Sequence, residues 1–269
     1  MHSFKSERCE IFYTQSGKPL GEAPIVVWGH GWGQDHRSFD GLVAALSGVA
    51  THIAVDFPGF GRSPVPFDTI EQSWGSGDYA HALSELIRSV AGGAPVIWVG
   101  HSFGARVGTQ LGALYPDMMA GMVFVAGAGL KRKRSAWQKM ILKTKIYTYK
   151  LGKWLKSWPF LSDLIESIQG ASKIGSSDYQ NAGAMRGVLV SVVNEHLSAE
   201  AARIQCPVLL IYGENDTETP PDVGLQFNQL IKDSELVSLS GQDHYSVLNE
   251  TGRHQVAQRI KYFVQNLDG

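Results

Sequence analysis

Short apolar runs rich in β-branched residues alternate with helical periodicities along most of this chain, and that alternation constrains its fold more than any other feature. The runs are 24–28, 51–55, 96–99, 121–126, 207–212 and 234–239. Between them, 36–46 carries Phe39, Leu42, Val43 and Leu46 at helical spacing, and 79–90 sets Leu83, Leu86, Ile87 and Val90 on one side. Residues 105–111 and 246–266 read as further helices. Strands that are apolar throughout, rather than at every second position, are covered on both faces. Interleaved helices supply the cover, and right-handed crossovers then give a doubly wound, mostly parallel α/β sheet. An earlier stretch, 10–14, is expected as an antiparallel edge strand. Functional groups in such a sheet gather at the carboxyl ends of its strands.

Residues 127–197 break the alternation. They are rich in Lys, Trp, Ser and Gly and read as helical without strands. The expectation is a core made of 1–126 and 198–269, with 127–197 inserted after the sixth strand as a helical cap. No Asp or Glu occurs from Met118 to Ser162, a stretch that holds Lys131-Arg132-Lys133-Arg134 and then six further lysines. Trp137, Trp154 and Trp158 recur there with other apolar residues at roughly helical spacing. That pattern is an amphipathic basic helix or a pair of them. Its aromatic side is expected to line a substrate cleft. Its basic side is either a solvated outer face or a docking surface for an anionic acyl carrier or lipid surface.

The chemistry starts at Gly100-His101-Ser102-Phe103-Gly104, set between the run 96–99 and the helix 105–111. A Gly-x-Ser-x-Gly in that context is a turn so sharp that the serine side chain is pushed out at the end of the sheet. Small residues two before and two after keep strand and helix from colliding. Ser102 is therefore a candidate nucleophile, and it needs a base. Nine histidines are present. His244 follows the run 234–239, in the loop Ser240-Gly241-Gln242-Asp243-His244, at the correct edge of the sheet. The base needs a carboxylate to fix its tautomer and to stabilise its imidazolium. Asp216 follows the run 207–212, with Glu214 and Glu218 on either side as rivals. The segment after 121–126 reads Gly127-Ala128-Gly129 and offers no carboxylate, which favours Asp216.

A tetrahedral intermediate also needs two donors for its oxyanion. The expected pair is the amide of Phe103, at the start of the elbow helix, and that of Trp32, in the loop His30-Gly31-Trp32-Gly33. Trp32 and Phe103 are also expected to line a mainly apolar acyl pocket with Trp137, Trp154 and Trp158. His30 reads as a brace for that loop and His101 as packing beneath the elbow. Asp56, Arg62 and Ser63 read as parts of a tight turn, and Asp243 as solvated. For His2, His36, His52, His81, His196 and His254 the sequence names no partner.

These residues carry a resemblance. His30-Gly31-Trp32-Gly33, Asp56-Phe57-Pro58-Gly59-Phe60-Gly61-Arg62-Ser63, the elbow, Gly213-Glu214-Asn215-Asp216 and Asp243-His244 together resemble the α/β-hydrolase fold. The first two are similar to segments of the pimeloyl-ACP methyl ester esterases and of the meta-cleavage C–C bond hydrolases, although Gln34 stands where many of the latter carry proline. The resemblance implies a cap domain, no metal and no organic cofactor. The reaction expected is hydrolysis of a carboxylic ester or thioester through an acyl-enzyme. Hydrolytic C–C cleavage, or ligand binding without turnover, are the alternatives.

A net charge of −1 gives no general attraction to nucleic acid. Two cysteines are too few for a disulfide framework. The first residues lack the apolar core of a signal peptide, and no run approaches the roughly 20 apolar residues of a bilayer span. The expectation is a cytoplasmic protein without a transmembrane segment.

Overall fold

The seven expected strands and one unexpected strand at the start of the chain form a single sheet. They are β1 (His2–Lys5), β2 (Glu10–Gly17), β3 (Ile25–Gly29), β4 (Thr51–Val55), β5 (Val96–His101), β6 (Met119–Val125), β7 (Val208–Gly213) and β8 (Ser234–Leu239). Their order is β1-β2-β4-β3-β5-β6-β7-β8. The pairs β1·β2 and β2·β4 are antiparallel. Every pair from β4·β3 to β7·β8 is parallel. This is the doubly wound, mostly parallel architecture read from the sequence. The computed structural model describes residues 1–66, 73–131 and 182–267.

One expectation is corrected. Residues 10–14 are not the edge, because β2 is paired on both sides and β1 lies outside it, in register His2↔Tyr13 to Lys5↔Glu10. His-Ser-Phe-Lys is short, polar and mostly exposed, so it carries no apolar pattern to read. The same properties suit an edge, since a short charged strand gives little template for pairing with another chain.

The sheet is covered on both sides. One face packs Val27, Val55, Trp98, Phe124, Leu210 and Tyr212 against helices α2 (Ser76–Ala91) and α3 (Phe103–Leu114) and, past the gap in description, α4 (Arg186–Asn194), the short α5 (Ser198–Ala201) and α6 (Pro221–Leu230). The other packs Val26, Trp28, Val99, Val125, Ile211 and Leu239 against α1 (Asp40–Ala45) and α7 (Glu250–Asn266). Neighbouring strand residues thus divide between two cores, as the period-2 alternation of a strand requires. Met1–Lys131 and Ala182–Gly269 make one compact unit. Most of the expected cap, 132–181, lies outside the described residues.

Candidate active site

At the end of β5 the chain reverses from strand to helix within one residue. His101 ends β5, Phe103 starts α3, and Ser102 between them has φ 48° and ψ −104°. A non-glycine residue at positive φ is strained and needs surroundings that fix it. Those surroundings are present. Ser102 N–H donates to Val125 O at 3.1 Å, and Ser102 O accepts from Ala128 N–H at 3.1 Å. The flanking glycines are steric necessities. A Cβ on Gly100 would sit 2.5 Å from the Gly104 carbonyl, and a Cβ on Gly104 would sit 1.9 Å from Gly29 O. Strand and helix are in backbone contact, and Trp98 Nε1–H donates to Gly104 O at 3.0 Å across the same corner.

The loops after β7 and β8 are joined by backbone bonds: Glu214 N–H to Leu239 O at 3.0 Å and Asn215 N–H to Gln242 O at 2.9 Å. That seam brings Asp216 to His244. Asp216 Oδ2 is 2.8 Å from His244 Nδ1, and His244 Nε2 is 3.1 Å from Ser102 Oγ. Three side chains distant in sequence form one hydrogen-bonded line. Asp216 and His244 are buried, 2% and 4% exposed. Asp216 Oδ1 accepts the amides of Glu218 and Thr219, both at 2.8 Å. Thr219 Oγ1 lies 2.9 Å from both Asp216 Oδ2 and Ala126 O, and 3.1 Å from His244 Nδ1. Burial pushes the Asp216 carboxyl up, but the His244 hydrogen bond and charge and the Thr219 donors outweigh it and hold it below the usual carboxylate range. The rivals separate: Glu218 is exposed and reaches the outer side of His244, 3.6 Å from Nε2.

The loop expected to supply the second oxyanion donor is braced at both ends. Gln34 Oε1 accepts Gly31 N–H at 2.9 Å, and Gln34 N–H returns to Gly31 O at 3.2 Å. Among the described residues, neither the Trp32 amide nor the Phe103 amide is hydrogen-bonded to an acceptor. The Trp32 ring meets Phe103 edge-on at 5.5 Å and Phe60 at 4.8 Å. Phe103 is itself buried, packed also against Phe57 and Tyr79. Trp32 and Phe60 are the half-exposed rings of this cluster.

His30 braces the loop as expected. Its Nε2 accepts Phe57 N–H at 3.0 Å, so Nδ1 carries the proton and donates to Gly31 O at 2.7 Å. Burial pushes its pKa down from 6.5 to about 4. As pH falls, the unfolded chain takes up this proton first, so stability present above the ordinary imidazole value is lost between 6.5 and about 4. At pH 4.5 the loss from this group is on the order of 2–3 kcal/mol. Urea unfolding checks it. The drop in stability between pH 7 and 4.5 is expected to be about 2–3 kcal/mol smaller in His30→Gln than in the wild type. Equal drops would contradict the assignment. His101, also buried and held down to about 3, sits between His244 O at 3.0 Å and Gln34 Oε1 at 3.2 Å.

Several partners escaped the sequence. His36 donates its amide to Asp56 Oδ1 and places Nδ1 2.6 Å from the same oxygen. Asp56 Oδ2 accepts Arg62 N–H, and Ser63 Oγ–H donates to Asp56 O. His52 Nδ1 accepts Trp28 Nε1–H, and His196 accepts Lys131 N–H. Asp35, His36 and Asp56 offer ligand atoms within 4.8 Å of one another. Their bonds to Arg37, Arg62 and each other account for that cluster as the turn expected around Asp56. Asp243 is exposed but accepts the amides of Tyr245 and Ser246, which close the His244 loop. Trp137, Trp154, Trp158, Arg132, Lys133 and Arg134 lie outside the described residues, whereas Lys131 is exposed. No described helix is long and apolar enough to cross a membrane.

Residues 25–259 match the model of a family described as the alpha/beta hydrolase family. A 2-(acetamidomethylene)succinate hydrolase of Mesorhizobium japonicum is 26% identical over 97% of this chain and 95% of its own length. A pimeloyl-[acyl-carrier protein] methyl ester esterase of Edwardsiella ictaluri is 31% identical, over 47% of this chain and 44% of that protein. Less than half of each is therefore compared in that case. A thermophilic esterase from Thermogutta terrifontis superposes with a TM-score of 0.68 over 96% of this chain and 94% of that one, at 17% identity. That identity shows likeness of fold alone.

Proposed function

This chain belongs to the alpha/beta hydrolase family, and on that premise we propose that it is a serine hydrolase of carboxylic esters or thioesters, with Ser102 as nucleophile. The observation that supports this most is the line from Asp216 Oδ2 through both nitrogens of His244 to Ser102 Oγ. Ser102 Oγ attacks the substrate carbonyl while its proton passes to His244 Nε2. Asp216, kept ionised, stabilises the imidazolium and holds Nδ1 protonated in the resting tautomer. The carbonyl oxygen becomes an anion held by the amides of Trp32 and Phe103, each such donor being worth about 3 kcal/mol. His244 then gives its proton to the departing alcohol or thiol and leaves an acyl-enzyme. Water, deprotonated by His244, attacks that acyl group and releases the acid.

Trp32 and Phe103 form the apolar side of the acyl pocket in this reading. The basic run Lys131-Arg132-Lys133-Arg134 suits an anionic acyl carrier or lipid surface, and two free cysteines suit a reducing, cytoplasmic setting. Activity on p-nitrophenyl acyl esters of increasing length tests the reaction class. Ester turnover is the expected outcome. Turnover of ring-cleavage dienoates without esters would assign C–C hydrolysis instead. Tight ligand binding with no turnover of either would make the protein a binding module.

A further inference from the structure

Among the described residues, Arg106 carries a buried polar atom that neither the fold nor the proposed reaction uses. Its Nη1 is shut off from solvent and has no hydrogen-bond partner, the sole such buried side-chain nitrogen or oxygen among the described residues. Buried polar atoms are almost always paired, and a cation is the costliest to leave without a partner. Burial lowers its pKa and the Glu195 charge raises it, with burial the stronger. Glu195 does not complete the pair. Its Oε1 accepts Ser76 N–H at 2.8 Å and its Oε2 accepts Ser76 Oγ–H at 2.6 Å, and no ion pair joins it to Arg106.

Position gives the orphan its meaning. Ser102 is the N-cap of α3 and Arg106 follows four residues later, in the first turn of that helix. Helical side chains lean toward the N-terminus, which here is the end that carries Ser102. The Arg106 stem also packs beside Gly129, whose Cβ position would lie 3.7 Å from Arg106 Cγ. Ala128, the residue before it, is the one bonded to Ser102 O. A planar guanidinium with open donors suits a carboxylate, which it binds with two parallel hydrogen bonds.

We infer that Arg106 receives an anionic group of the substrate, so that the preferred substrates are half-esters or half-thioesters of dicarboxylic acids. The inference rests on Ser102 being the nucleophile. About one turn of helix, a rise of roughly 6 Å, separates the two positions. The distal carboxylate then falls a few carbons beyond the scissile carbonyl, within the range from malonate to adipate. Arg106 determines specificity here and takes no part in proton transfer.

Calorimetric titration of the full chain with malonate, succinate, glutarate and adipate, each against the monoacid of equal length, tests the site without turnover. At least one diacid is expected to bind roughly tenfold or more tightly than its monoacid. Arg106→Met is expected to abolish that preference, and Arg106→Lys to keep part of it. Equal affinities in the wild type, or a preference that survives Arg106→Met, overturn the inference. The wild-type comparison decides even if a variant does not fold. The kinetic counterpart is kcat/KM for a monomethyl diacid ester over that for the dimethyl diester, expected above unity in the wild type and reduced in Arg106→Met. Diacid preference with no ester turnover would retain the anion site and remove the hydrolase reading. Ester turnover with no diacid preference would do the reverse.

Discussion

Ser102→Ala is expected to lower kcat for ester hydrolysis by at least ~10⁴-fold while leaving the fold intact. The size of the loss follows from how the three side chains divide the work. Without Oγ there is no acyl-enzyme, and His244 Nε2 has no nucleophile to deprotonate at 3.1 Å. The fold survives because the bonds that hold position 102 at φ 48° come from its backbone N–H and C=O, which alanine keeps. Asp216→Asn is expected to lose about as much by another route. An amide nitrogen facing His244 Nδ1 favours the tautomer that puts the proton on Nε2, where it cannot accept from Ser102. Steady-state kinetics on one p-nitrophenyl ester, with circular dichroism of each variant, checks both. Losses below about tenfold in folded variants would break the assignment.

Among the described glycines, Gly104→Ala is expected to be the most damaging alanine substitution. Its Cβ would sit 1.9 Å from Gly29 O and 3.1 Å from His30 O, both backbone atoms at the end of β3. A flexible side chain could swing away, but a central strand and a buried helix cannot separate locally. Overpacking with side chains costs about 1–3 kcal/mol. Backbone against backbone exceeds that, so a loss above ~3 kcal/mol or failure to accumulate as soluble protein is expected. Gly48→Ala is the control. No atom lies within 4 Å of its Cβ position, and the change should stay within about 0.5 kcal/mol. Urea unfolding of the two variants reads the difference, and similar midpoints would contradict the close approach of β3 and α3.

The sheet was legible because its central strands are largely apolar on both faces, so runs such as 25–28 and 96–99 stand out without any alternation to interpret. β1 was not, since His2–Lys5 has neither length nor an apolar face. The line Ser102–His244–Asp216 was legible because each member follows a strand, and strand ends in a parallel sheet converge. What escaped was contact between loops. Thr219 lies against Asp216, His244 and Ala126, yet a threonine three residues past an aspartate is common in turns. The local signal was the turn itself, in which Asp216 accepts the amides of Glu218 and Thr219. The Gln34–His101 contact and the His36–Asp56 pair gave no such signal, because their members are 67 and 20 residues apart. Arg106 is hidden for a related reason: an arginine on a helix reads as surface until its Nη1 is found buried.

Covalent trapping tests the central claim most directly. The chain is incubated with a fluorophosphonate, its intact mass is recorded, and the modified peptide is sequenced. One adduct, mapped to Ser102, absent from Ser102→Ala and much slower in His244→Ala, is the predicted result. Labelling at another residue, or at Ser102 at the same rate without the imidazole, would contradict the account.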